Sequence, residues 1–158
     1  MRSAGRNDRR IQDPVHDAYR PRRKLAEPAS CTRCGLVYHR GRWLRGVPRP
    51  GSRGILCPAC QRTLDDYPGG IVELHGTFLE GHLEEVLNTV RNVARAAEQR
   101  HPLQRIIRVH RSDGCVSVTT TDSHLARAIG EALKKAFQGE LELKYSLEGD
   151  VLRVHWTR

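Results

Sequence analysis

The stretches Cys31-Thr32-Arg33-Cys34 and Cys57-Pro58-Ala59-Cys60 each hold two cysteines with two residues between them, and 22 residues, Gly35 to Leu56, separate the pairs. Two tight turns that each present two thiolates make a closed tetrahedral site for one structural zinc ion. The gap is slightly longer than is usual for paired ribbons, and one longer loop absorbs it. With sulfur at all four positions no place is left for an activated water, so the metal is expected to fold the segment and to hydrolyse nothing. A segment this short cannot bury enough apolar surface to hold itself together. Metal binding, on the order of 10–16 kcal/mol in small metal domains, supplies what the core lacks. A redox Cys-x-x-Cys is normally single and set between a strand and a helix. A double disulfide calls for a secretory leader, of which the N-terminus shows no apolar stretch, and would leave Cys115 odd. Reduced cysteines point to the cytoplasm.

Charge is unevenly spread along the 158 residues, whose formal net charge is +9. Residues 1–30 carry eight Arg or Lys against four acids, and residues 64–158 carry twelve against fourteen. Residues 31–63 hold seven arginines and no acid. A zinc ion with four thiolates carries about −2, so that segment keeps about +5 when metallated. All its positive groups are arginine: Arg33, Arg40, Arg42, Arg45, Arg49, Arg53 and Arg62. Guanidinium pairs bidentately with phosphate and stacks on bases, which ammonium does less well. These seven are the candidate RNA-binding residues, with Trp43, whose ring can stack on a base or cover a small core. No apolar run approaches the roughly 20 residues of a membrane span, so no membrane partner is expected.

The organisation follows from composition and period. Residues 1–30, rich in Arg, Asp and Pro, are expected to be a basic flexible arm. Residues 31–78 are expected to hold the zinc ribbon and a connector. Leu36 to His39 should leave the first cysteine pair as a strand, and Gly54 to Leu56 should return to the second. Tyr67-Pro68-Gly69-Gly70 turns the chain into a short strand at Ile71 to Leu74. Asp65 and Asp66 read as a helix or turn terminus, not a metal pair. Residues 79–158 are expected to be an α+β domain. Leu83, Val86, Leu87, Val90, Val93, Ala94 and Ala97 predict a helix from about His82 to Arg100. A ββαββ pattern then predicts an antiparallel sheet with one buried face. It runs as strands at Arg105–Arg111 and Cys115–Thr121, a helix capped by Asp122 or Thr121 and ended by Gly139, and strands at Leu141–Leu147 and Leu152–Thr157. Arg108, His110, Lys144, Arg153 and His155 fall on the open face, which reads mainly as solvated. Cys115 reads as a small strand residue.

Catalytic signatures are missing. There is no phosphate-binding Gly-x-x-x-x-Gly-Lys loop, no His-Glu-x-x-His helix and no Gly-x-Ser-x-Gly elbow. His82-Leu83-Glu84 mimics part of a zinc-deaminase motif, but it follows the cysteines, and Leu56, not proline, precedes Cys57. No catalytic residue and no small-molecule substrate are expected.

The pairs Cys31/Cys34 and Cys57/Cys60, with Trp43 and Gln61-Arg62, resemble a ribbon of the nonsense-mediated decay protein three family, the large-subunit export adaptors, and of its small bacterial zinc-ribbon relatives. The similarity continues through Val90-Arg91, the run from Asp113-Gly114 to His124-Leu125-Ala126, and Leu143-Lys144-Tyr145, covering about residues 31–147. It implies binding to ribosomal RNA and ribosomal proteins of the large subunit without catalysis. The chain departs from the family in having one ribbon and no later domains or export signals, so nuclear export does not carry over. The expectation is a non-enzymatic, ribosome-associated RNA-binding protein acting in subunit maturation, hibernation or surveillance. The alternative is a DNA-binding transcriptional regulator. It would need a basic reading helix, whereas these arginines lie mainly in ribbon loops and strands.

Overall fold

A computed structural model describes Ala18, Tyr19, Pro21 and residues 23–158. Most of the basic arm expected over residues 1–30 therefore lies outside the described residues. Within 23–158 the fold is mixed α+β, with two sheets and three helices.

The smaller sheet is built from three-residue strands in the order β3-β2-β1-β4: β1 (Ala29–Cys31), β2 (Val37–His39), β3 (Arg42–Leu44) and β4 (Arg53–Ile55). The strands expected before and after the long loop are β2 and β4. β1 begins ahead of the first cysteine, and β3 is an added strand within the loop. β1 pairs antiparallel with β2 and parallel with β4, which sets the two cysteine pairs side by side. Helix α1 (Pro58–Asp65) follows directly, with Cys57 as its N-cap and Pro58 in its first turn. Proline suits that position because its ring presets φ and its missing N–H is unneeded there. Asp65 is the helix's last residue and Asp66 its left-handed cap at φ 50°, so the acidic pair is a helix terminus as expected.

The larger sheet has the order β6-β7-β5-β9-β8. Its strands are β5 (Gly70–His75), β6 (Ile106–Ser112), β7 (Cys115–Thr120), β8 (Glu140–Tyr145) and β9 (Leu152–Thr157). Helices α2 (Leu79–Arg100) and α3 (Ser123–Phe137) cover one face. Two expectations need correction. The strand expected as part of a connector at Ile71 to Leu74 is β5, the centre of this sheet. It pairs antiparallel with β7 and parallel with β9, so the sheet is mixed, and the plain antiparallel ββαββ arrangement does not hold. The cause is topological. α2 carries the chain from β5 to β6, and the tight hairpin returns β7 into the slot beside β5. α3 then carries it to the far edge strand β8, and a second hairpin returns β9 into the slot on β5's other side.

Alternation along the strands decides which face is buried. Val72, Leu74, Val116, Val118, Leu152, Val154 and Trp156 point to the helices, where Val86, Leu87, Val90, Leu125, Ile129 and Leu133 meet them. Asp122 caps α3, its Oδ1 accepting from the Leu125 N–H at 2.9 Å. Cover runs out at the β8 edge: Leu143, Tyr145 and Leu147 were expected on the buried side but are 37%, 55% and 109% exposed. The two helices sit over the central strands, and the edge strand overhangs them.

Candidate metal centre

The four cysteines arrive from two places. Cys31 ends β1, and Cys34 follows in the turn that Gly35 closes with φ 77° and an N–H bond to the Cys31 carbonyl. Cys57 caps α1, and Cys60 lies in its first turn. Their sulfurs all lie within 4.8 Å of one another. A tetrahedral ion with sulfur bonds of about 2.3 Å sets its ligands roughly 3.8 Å apart. Cys34 Sγ and Cys57 Sγ are 3.7 Å apart, far beyond the roughly 2.05 Å of a disulfide. All four cysteines are free. The donor set fits one metal ion in structural coordination.

Backbone groups orient the sulfurs. The Cys57 N–H donates to Cys31 Sγ at 3.3 Å, and the Cys60 N–H donates to Cys57 Sγ at 3.4 Å. Burial opposes ionisation of Cys31, but N–H donors from Cys34, Cys57 and Arg33 outweigh it and bring that thiol down to about 6. Burial pushes the Cys57 and Cys60 thiols up. Four thiolates in this volume need a cation between them, which is the role of a bound metal.

One further residue reaches the cluster, and no motif announced it. Arg105 stands just ahead of β6 in the larger unit. Its Nη2 donates to Cys34 Sγ at 3.3 Å and approaches Cys57 Sγ at 3.8 Å, while Nη1 donates to Cys60 Sγ at 3.5 Å. Nε donates to the Pro102 carbonyl at 2.8 Å, locking the fork's orientation. Burial works against the guanidinium's charge, but the sulfurs of Cys34 and Cys60 more than compensate and hold its pKa above the ordinary value. Buried Thr121 braces the loop beneath. Its hydroxyl donates to the Leu103 carbonyl at 2.6 Å and accepts from the Arg105 N–H at 2.9 Å. Leu103 in turn packs on the ribbon core. Arg45–Glu98 (3.6 Å) and Arg108–Asp66 (3.1 Å) add two exposed ion pairs between the ribbon segment and the larger unit.

The candidate RNA-binding residues are placed unequally. Arg33, Arg40, Arg42, Arg49 and Arg53 are exposed and have no ion-pair partner among the described residues. Arg45 is exposed but engaged with Glu98. Arg62 donates to the Tyr67 carbonyl at 3.1 Å and lies over the rings of Tyr19 and Tyr67. Trp43 is 8% exposed and packs on Tyr38 with ring centres 5.3 Å apart, as part of the ribbon core. On the same small sheet a depression of about 230 Å³ is lined by Val37, Leu44, Arg45, Val47 and Arg49, among others. Val47 on its rim is 87% exposed.

Fold and cluster together define a small four-cysteine ribbon docked on a mixed α+β unit. No family model, curated protein or solved structure matches the chain. No helix among the described residues is long and apolar enough to cross a membrane.

Proposed function

We propose that this is a non-enzymatic zinc-ribbon protein that binds structured RNA, with the ribosome or a ribosomal subunit as its target and zinc as its structural ion. Zinc is the ion that four thiolates in tetrahedral array select in a reducing compartment. One observation carries the RNA reading: five exposed arginines without acidic partners among the described residues stand on a small sheet and its loops. Residues 31–63 contain no acid to neutralise them. A metal-clamped frame holds guanidinium groups at fixed spacing, so binding a phosphate backbone costs less side-chain ordering. Leu44 and Val47 give the same surface apolar area against which a base or a ribosomal protein can rest. The DNA-regulator reading finds less support, because α1 is short and its one arginine, Arg62, is engaged by Tyr67.

The test uses purified ribosomal subunits and a structured ribosomal RNA fragment. Neutralising about five phosphates gives a fall of roughly four to five powers of ten in affinity per tenfold rise in salt. The R42A/R49A/R53A variant should lose affinity and flatten that slope by about 3, with its metal content unchanged. Unchanged affinity in a fully metallated variant removes the ribbon from the binding role.

A further inference from the structure

The open face of the larger sheet carries a second set of metal-binding side chains, formed by strands that are distant in sequence. Glu73 and His75 alternate on β5 and so share a face. The parallel register places His155 of β9 directly beside Glu73, while the antiparallel register places Cys115 of β7 beside His75. One carboxylate oxygen of Glu73 and one ring nitrogen each of His75 and His155 lie within 4.8 Å of one another. His155 Nδ1 is 2.9 Å from Glu73 Oε2, and the two imidazoles stack with ring centres 6.3 Å apart and an 18° angle between planes. The three residues are half-buried, with Glu73 and His155 side chains 28% and 33% exposed. They stand on the central strand and its neighbour, whose opposite faces (Val72, Leu74, Val154, Trp156) are fully buried. The scaffold beneath them is therefore anchored in the core.

An ion pair between Glu73 and His155 would need only two residues. The third donor, His75, converges on the same point from the same face, and two imidazoles with one carboxylate are the donor set of borderline divalent transition ions. We propose that Glu73, His75 and His155 form a second metal site for such an ion. It is separate from the four-cysteine cluster and has a coordination position left open to solvent. Cys115 Sγ, 3.8 Å from His75 Nε2, flanks the site but falls outside the three-atom cluster. Glu142, the register partner of His155 on β8, is paired with Lys144 at 2.9 Å. An ion held by two neutral imidazoles and one carboxylate keeps a net positive charge, unlike the thiolate cluster. This site is accordingly the more exchangeable of the two and the one able to take an exogenous ligand.

The experiment titrates Zn²⁺ into the full chain already carrying one equivalent of zinc in its cysteine cluster. One further equivalent should bind with a dissociation constant of about 1–10 μM, in a range where a three-donor protein site outcompetes scattered surface groups. H75A and H155N should each abolish that equivalent while keeping the first and the far-ultraviolet circular dichroism spectrum, whereas C115S should keep both. In heteronuclear spectra the ring signals of His75 and His155 should shift together at the second equivalent. The proposal is overturned if saturation stops at one equivalent, or if the second binds only near 1 mM. It is equally overturned if the histidine variants retain the second equivalent, or if C115S loses it.

Discussion

Arg105 is the residue on which the two halves of the molecule meet. Four thiolates around a divalent ion leave about two negative charges, and a guanidinium in hydrogen-bond range of three of the sulfurs offsets part of that excess inside a part-buried site. Partners beyond the first ligand shell typically change metal affinity 10–100-fold. R105A should therefore release the cysteine-bound metal to a chromophoric chelator about 10–100 times faster than the parent chain. R105K keeps the charge but cannot span three sulfurs with a planar fork, and it should fall between the two. A release rate in R105A equal to the parent's would mean the guanidinium only packs against the cluster. The cysteines were legible from spacing alone, because metal coordination imposes spacing on the chain. Arg105 was not. It is 71 residues from Cys34, and it read as the start of a strand, which says nothing of where its side chain reaches. Of the second metal-binding set only His155 was placed on the open face; Glu73 was not singled out, and the strand expected over Ile71 to Leu74 stopped short of His75. Glu73/His75 and Arg153/His155 alternate outward as strand period requires, but only the parallel β5–β9 pairing brings the two histidines together.

At the scale of elements, the close approach of α3 to the sheet runs through Gly130. A Cβ there would lie 2.5 Å from Val154 Cγ1 and 2.9 Å from Leu141 Cδ1. Alanine in mid-helix gains about 1 kcal/mol over glycine in propensity. Forcing a methyl against a fully buried β-branched side chain costs about 1–3 kcal/mol. Overpacking should win, because Val154 is fully buried in the core and Leu141 packs beside it. Urea unfolding of G130A should show a lower midpoint, and a raised midpoint would mean the helix lifts without penalty. At the same helix's start, D122A should cost about 1 kcal/mol through loss of the cap, read from the same measurement. Long elements with a clear period were legible: α2, α3, β6, β7 and β9 stand within a few residues of the expected bounds. Three residues hold no period to read, so of the ribbon's short strands only β2 and β4, placed by the ends of the long loop, were anticipated, and β1 and β3 were not. Helix α1 was missed for a different reason. Its start signal, proline at the first helical position, is hidden inside the Cys-Pro-Ala-Cys turn, and only its acidic terminus was read. The mixed sheet was out of reach of pattern alone, because strand alternation gives a face and leaves the neighbour unspecified.

At the scale of the whole molecule, the described residues form two hydrophobic cores of very unequal strength. The larger unit buries sixteen residues between one sheet face and two helices, whereas the ribbon buries eight, of which three are Cys31, Cys57 and Cys60 of the candidate metal centre. The ribbon's core is therefore expected to depend on a bound metal, and the other is not. Between them run the Arg105 fork, the Leu103 contact and two exposed ion pairs, the last worth little individually. Removing the metal abolishes the charge that organises the sulfurs, and with it the anchor for Arg105. A tight chelator added to the full chain should collapse amide dispersion across residues 29–65 in heteronuclear spectra, while signals from β5 to β9 keep native positions. The exception is the loop at Pro102 to Arg105, whose shifts should move because their partner has gone. RNA affinity should fall in step with the ribbon signals, because arginines on an unfolded segment keep their charge but lose their fixed spacing. If the apo chain keeps its full RNA affinity, charge density alone drives binding, and the metal serves the fold without serving recognition.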